Sequence, residues 1–457
     1  MSKISFTVPL IFILFFLSGN GFAQSRYDET YRNQFHFSVP ENTLGSPLTL
    51  NYSDSIYQIY FQYNPYNLDK AYYQTGYATS NDLLHWTYKK IIWQQPDDAV
   101  DSMNLTPWWG TIVETDNSQK AWISRWGKGI YYTSAEKDEF SAEIATQGLN
   151  ALKQSDPFVF WHAESEKWLM LAYERTTKTM HVSQSSNGIN WQTTQSFRYE
   201  YGFPQLIELP VANKPGIKKW ILFSEGGKYQ SCAFDGQKLT TEGTIQSFNY
   251  GRNIGGSVIL NGDGHDKAIL ISEIKSSQQA DLPSNGDFSF PAEITLLETD
   301  GNYLVRLQPA KNIAQLFDKS YSWQNERIYP GLGKNLLRRV KGEELYIKGT
   351  IQNINSDLFG FLLRSNRGNG GNEISVNVKK KYITLIRKQI PFELSNNEVN
   401  FEILLDRSVL EIYINDGEYV LSESISPSPE AGNHFITTSG GEIMVKNLEI
   451  FRIRSVW

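Results

Sequence analysis

Short apolar runs broken by polar turn residues follow one another from about Phe35 to Pro309. Ile56–Tyr63, Ala121–Ser124, Phe158–Trp161, Trp168–Tyr173, Trp220–Ser224 and Lys267–Ser272 are rich in Ile, Val, Phe, Tyr and Trp, with Asn, Asp, Gly or Ser at their ends. Such runs predict β-strands, because branched and aromatic side chains pack well on a pleated surface. No long segment carries apolar residues at i, i+3, i+4 and i+7, so no long amphipathic helix is predicted. A weak repeat is superimposed on the strands. Ser80-Asn81-Asp82-Leu83-Leu84-His85-Trp86 is a polar turn ending in an aromatic, and Ser134–Phe140 and Ser185–Trp191 have the same spacing. A period near 50 residues with several strands per unit predicts propeller blades, and residues 30–312 have room for five. Trp86 and Trp191 are then expected to cap blade edges by packing rather than to touch a ligand.

Residues 313–334 break the pattern and read as a short polar linker, with a helical turn at Ile313–Phe317. Strands resume at Asn335: Glu344–Gln352, Leu358–Leu363, Glu373–Val378, Tyr382–Arg387, Asn400–Leu405, Val409–Ile414 and Ile443–Arg452. Short strands in such number predict a β-sandwich over residues 335–457. Asn415-Asp416-Gly417 is a hairpin signal within it. The fold expected is all-β, a five-bladed β-propeller followed by a C-terminal β-sandwich.

Composition narrows the function. A length of 457 residues suits two domains, and a net charge of −6 argues against nucleic acid or an anionic membrane as partner. Lys3, the apolar run Val8–Leu17 and Gly21-Phe22-Ala23 read as a signal peptide, residues 1–23, cleaved near Ala23. That predicts a periplasmic or secreted protein with no membrane insertion after cleavage. Cys232 is the only cysteine, so no internal disulfide forms and a buried apolar role is expected. The six histidines show no metal-ligand spacing, and phosphate-cradling, serine-hydrolase and dinucleotide motifs are absent. Neither a metal nor a cofactor is predicted.

Six segments, in order along the chain, resemble glycoside hydrolase family 32, the family of invertases, inulinases and levanases. They are Phe61-Gln62-Tyr63-Asn64-Pro65, Gly76–Trp86, Trp109–Val113, Asp156–Trp161, Phe290–Leu296 and Leu405–Gly417. The resemblance implies the same propeller and sandwich, an active site in the central funnel, and fructan or another β-fructoside as the carbohydrate partner.

The chemistry implied by that family is incomplete here. Retaining hydrolysis uses two carboxyl groups about 5–5.5 Å apart, one attacking the anomeric carbon and one protonating the leaving oxygen. Counting back from Gln62 puts Ser46, in Thr43–Thr49, where the resemblance implies the aspartate nucleophile. Losing a nucleophile in other hydrolases costs on the order of 10⁶ in turnover. Gly202, in Tyr201-Gly202-Phe203-Pro204-Gln205, stands where the glutamate acid/base is implied. Asp156 matches the third carboxylate, which steadies sugar hydroxyls; its arginine neighbour is replaced by Ser155. Asn253-Ile254-Gly255 and Ala292 replace further polar pocket residues. Glu200 is the surrogate acid, since residues two apart on a strand face one side about 6.6–6.8 Å apart; the alternative is a solvated strand-end glutamate. Asp156 and Glu200 are thus the catalytic candidates, and Glu41 and Glu273 are further carboxylates near the aligned segments. Ser46, Gln62, Trp108, Trp109, Gly202 and Gln205 are the substrate-binding candidates, the tryptophans by stacking on a sugar ring. Three readings stay open: a sugar binder without the usual hydrolysis, a divergent hydrolase with relocated carboxylates, and a structural module of the cell envelope.

Overall fold

The computed structural model describes residues 27–66, 74–93, 109–115, 118–125, 129–136, 139–140, 144–149, 155–262, 267–276, 284–331, 335–366 and 370–457. The signal segment and Trp108 lie outside these residues. Five antiparallel sheets form the blades of a propeller. Their inner strands are Asn42–Ser53, Trp109–Thr115, Ser155–His162, Gln205–Pro210 and Ile254–Leu260. Their second strands are Ile56–Asn64, Ser118–Arg125, Lys167–Glu174, Lys218–Ser224 and Ile269–Ile274. Parallel pairing of Asn42 with Ser284 and Thr43 with Asn285 ties the first blade to the fifth and closes the ring.

Inner strands are largely buried because they are walled in by neighbouring blades; Ile254–Leu260 is buried throughout. Polar side chains knit them together. Thr49 Oγ1 accepts from the Ile112 amide (2.9 Å), and Thr111 Oγ1 donates to the Pro157 carbonyl (2.8 Å), joining the first three blades. The repeated turn motif works as expected in two blades. Asp82 Oδ1 accepts from the amides of Leu84 and His85, and Asn187 Oδ1 from those of Ile189 and Asn190. The indoles of Trp86 and Trp191 donate to the carbonyls of Leu83 and Gly188, and both rings are buried. Cys232 is buried in the fourth blade.

The second domain stacks a six-stranded sheet on a five-stranded one. Leu345, Ile347, Phe359, Phe361, Phe401 and Ile412 share the core between them. The stretch 313–334 is more than a linker. A 3₁₀ helix, Lys311–Leu316, is followed by the strand Phe317–Ile328, which pairs with Ile443–Ile453. It reads as polar because it is an edge strand: only scattered residues such as Tyr321 and Trp323 lean on the core, while most others face outward.

The two domains share apolar packing. Tyr346, Leu404 and Tyr413 of the sandwich join Phe35, Phe290 and Leu296 of the propeller in one cluster. At the joint, fully buried His36 lies between Asp406 (Nδ1, 2.9 Å) and Glu411 (Nε2, 3.0 Å). Burial lowers its pKa, but the two carboxylates outweigh burial and raise it to about 9. Among the described residues no helix is long and apolar enough to cross a membrane.

Candidate functional site

Every inner strand begins at the same end of the propeller axis, and every antiparallel second strand ends there. That end collects the residues singled out by the sequence. Ser46 sits four residues into the first inner strand, 3% exposed. Asp156 is the second residue of the third inner strand, Gly202 precedes the fourth, and Gly255 and Gly256 lie at the start of the fifth.

Ser46 is held on three sides. Its amide donates to Gln62 Oε1 (3.2 Å) and its Oγ donates to Glu273 Oε2 in a short hydrogen bond. The Gly256 amide donates to the same Oγ (3.3 Å). Glu273 belongs to the second strand of the fifth blade and is 2% exposed, so the Ser46 hydroxyl supplies a polar partner that a buried carboxylate requires. A Cβ on Gly255 would collide with that carboxylate, and one on Gly256 would stand 2.7 Å from the Phe203 ring. Those glycines are the space into which Glu273 and Phe203 are packed.

A second cluster surrounds Gly202. A Cβ there would lie 2.7 Å from Asp156 Oδ2, 2.9 Å from Arg175 Nη2 and 3.0 Å from Glu225 Oε1. Asp156 is 4% exposed and accepts from Arg175 Nε (3.3 Å) and from the Phe203 amide (3.1 Å), with Arg175 Nη2 at 2.7 Å. Glu225 accepts from Arg175 Nη1 and Nη2 (both 3.2 Å) and from the Gly202 amide (3.0 Å). Burial raises the Asp156 pKa to about 6; the Arg175 charge opposes the shift and the Glu225 charge adds to it. Phe203 adopts φ 56°, a left-handed conformation that is strained for an aromatic, and its ring lies 5.8 Å from the Arg175 guanidinium carbon.

The other candidates are dispersed. Glu200 does not join this cluster: its side chain is 47% exposed and bound to Lys178 (2.9 Å) and Arg198 (3.2 Å). Glu41 is exposed just before the first inner strand. Gln62 meets Ser46 as above, and Gln205 opens the fourth inner strand, buried. Trp109 opens the second inner strand; its side chain lies outside the described set.

Arg175 and Glu225 are absent from the sequence expectations, which include Glu273 but not its counterpart in the adjacent blade. A signal was available. Ile221-Leu222-Phe223-Ser224-Glu225 and Ile269-Leu270-Ile271-Ser272-Glu273 are the same Ile-Leu-x-Ser-Glu ending of a second strand, one blade apart. Arg175 likewise follows the second strand of the third blade. Antiparallel register carries these ends to the funnel: Ser155 faces Glu174, Gln205 faces Phe223, and Ser257 faces Ser272. The picture of polar groups lost at Ser46, Gly202, Asn253-Ile254-Gly255 and Ala292 therefore needs correcting. Asp156 remains on an inner strand, and Arg175, Glu225 and Glu273 reach neighbouring places from the ends of second strands.

Comparison with known proteins gives the family and the fold. Residues 36–307 fit the model of the glycosyl hydrolases family 32 N-terminal domain, and residues 312–452 fit the family 32 C-terminal model. A levanase of Bacillus subtilis (strain 168) is 23% identical, covering 100% of this chain and 76% of that protein. An extracellular exo-inulinase of Aspergillus awamori is 22% identical over 97% of this chain and 98% of its own. The crystal structure of exo-inulinase from Aspergillus awamori superposes with a TM-score of 0.82 at 20% identity, covering 94% of this chain and 100% of that one. The structure of fructofuranosidase from Schwanniomyces occidentalis complexed with fructose gives 0.76 at 17% identity, over 94% and 100% of the two chains.

Proposed function

This chain belongs to glycoside hydrolase family 32, and from that premise we propose that its funnel binds β-fructosides of the fructan class outside the cytoplasm without the family's usual two-carboxylate hydrolysis. One observation carries the reading. At Gly202 no side chain can give a proton, and the two carboxylates that close around the gap share the Arg175 guanidinium. Their oxygens are engaged by that guanidinium and by the amides of Phe203 and Gly202, so neither is presented as a free acid to a leaving oxygen. At Ser46 the attacking group is a hydroxyl whose hydrogen goes to Glu273. What remains suits recognition: fixed acceptors and donors around a funnel, matched to a polyhydroxylated ring. The segment 1–23 and the relatives named extracellular support a site outside the cytoplasm.

Titration calorimetry of the purified chain against sucrose, inulin and levan should give binding, and chromatography after long incubation should find no released sugar. Release by the wild type would sink the binding-only reading. A second reading, hydrolysis by relocated carboxylates, is favoured by the position of Glu273 beside Ser46; it requires release that Glu273→Gln abolishes.

A further inference from the structure

We propose that Arg175 and Glu225 are the sugar-contacting charges of the funnel, supplied from second strands, and that with Asp156 and Glu273 they select an uncharged fructoside over a phosphorylated one. The inference rests on the reading of the funnel as a β-fructoside site and adds which residues touch the ligand and which ligands are refused.

Position is the first argument. Both side chains flank the gap at Gly202, where the family resemblance implies a carboxyl group at the glycosidic oxygen. Each side chain remains 29% exposed, which leaves it accessible beside the gap. Glu273 and Asp156 are buried beside them, 2% and 4% exposed.

Preorganisation is the second. Arg175 grips Asp156 and Glu225 together, and the backbone amides of Gly202 and Phe203 hold the same two carboxylates. Side chains so tied lose little further freedom on meeting a ligand, so each hydrogen bond to a sugar hydroxyl contributes nearly its full value. The same Ile-Leu-x-Ser-Glu ending in adjacent blades places Glu225 and Glu273 by one geometric rule, the register of a second strand against its inner strand.

Charge is the third. Among the described residues the site gathers three carboxylates and one guanidinium. A neutral polyol meets acceptors for its hydroxyl hydrogens. A phosphate ester meets three carboxylates against one guanidinium, a charge balance that disfavours a further anion.

The test is titration calorimetry of the full-length mature chain with sucrose, its 6-phosphate ester, inulin and levan. The wild type should bind the neutral sugars at least tenfold more tightly than the ester. Glu225→Gln should weaken neutral-sugar binding by about tenfold or more, as expected for loss of a hydrogen bond to a charged group, and should narrow the gap to the ester. Arg175→Lys keeps the charge but loses the fork, and should also weaken binding. Glu208→Gln, a half-exposed site paired with Lys218 (3.4 Å), is the unaffected control. Wild-type selectivity needs no variant, and Glu225→Asp, which keeps the charge but shortens the reach, covers the case where Glu225→Gln does not fold. A wild type that binds fructosides while Glu225→Gln and Arg175→Lys bind equally well, or that takes the ester as tightly, overturns this inference alone. A wild type that binds no fructoside overturns the proposed function as well.

Discussion

Ser46 in the first blade gives its hydroxyl hydrogen to Glu273 in the fifth, a bond between residues 227 apart in the chain. It joins the two blades whose meeting closes the ring. Replacing Ser46 by Ala leaves a 2%-exposed carboxylate without this donor and removes the acceptor of the Gly256 amide. The expected cost is about 1–3 kcal/mol, read from urea unfolding.

Restoring the family's residues should not restore hydrolysis. Ser46→Asp would set a second carboxylate against Glu273, and Gly202→Glu would drive its Cβ to within 3.0 Å of Asp156, Arg175 and Glu225. The double variant is expected to be less stable than the wild type by about 2 kcal/mol or more, from overpacking and like-charge burial. Thermal unfolding and sugar-release assays check both halves of the statement. A stable, active double variant would mean that the second-strand charges are incidental.

Sugar binding should weaken as pH falls through about 6. There Asp156 takes up a proton, and Arg175 loses an anionic partner. For stability the sign runs the other way. The Asp156 pKa is raised above its unfolded value of 3.8, so its contribution is present below that value and lost as pH rises through about 6. Calorimetry between pH 5 and pH 8 should show the change in affinity, and Asp156→Asn should flatten it.

His36 makes the joint between the domains sensitive to alkali. Its pKa is raised from 6.5 to about 9, so its contribution is full below about 6.5 and lost as pH rises through about 9. The melting temperature should fall across that window. His36→Gln should lack this step and be less stable at neutral pH by about 3–5 kcal/mol, because the buried Asp406 and Glu411 lose a charged partner.

Trp191→Phe keeps a ring against Trp122 but loses the indole bond to the Gly188 carbonyl. A loss of about 1 kcal/mol is expected, without change in sugar binding. A large change in binding would assign the blade-edge aromatics a ligand role that their burial argues against.

The alternation of apolar runs with polar turns, the repeat ending in Trp86 and Trp191, and the family-like segments determined the propeller, the sandwich and the positions of Ser46 and Gly202. These are local properties: a strand's side chains alternate, a turn needs its Asp or Asn, and both can be read within ten residues. Even there the edge strand Phe317–Ile328 read as a linker, because one thinly buried face leaves little apolar signal. What only the tertiary structure decided is which charges fill the funnel. Arg175, Glu225 and Glu273 reach it because antiparallel register brings the ends of second strands to the starts of inner strands, and because Gly202 and Gly255 leave room. Register is a relation between strands, and in the case of Ser46 and Glu273 between the first and last blades, so no single stretch of sequence contains it.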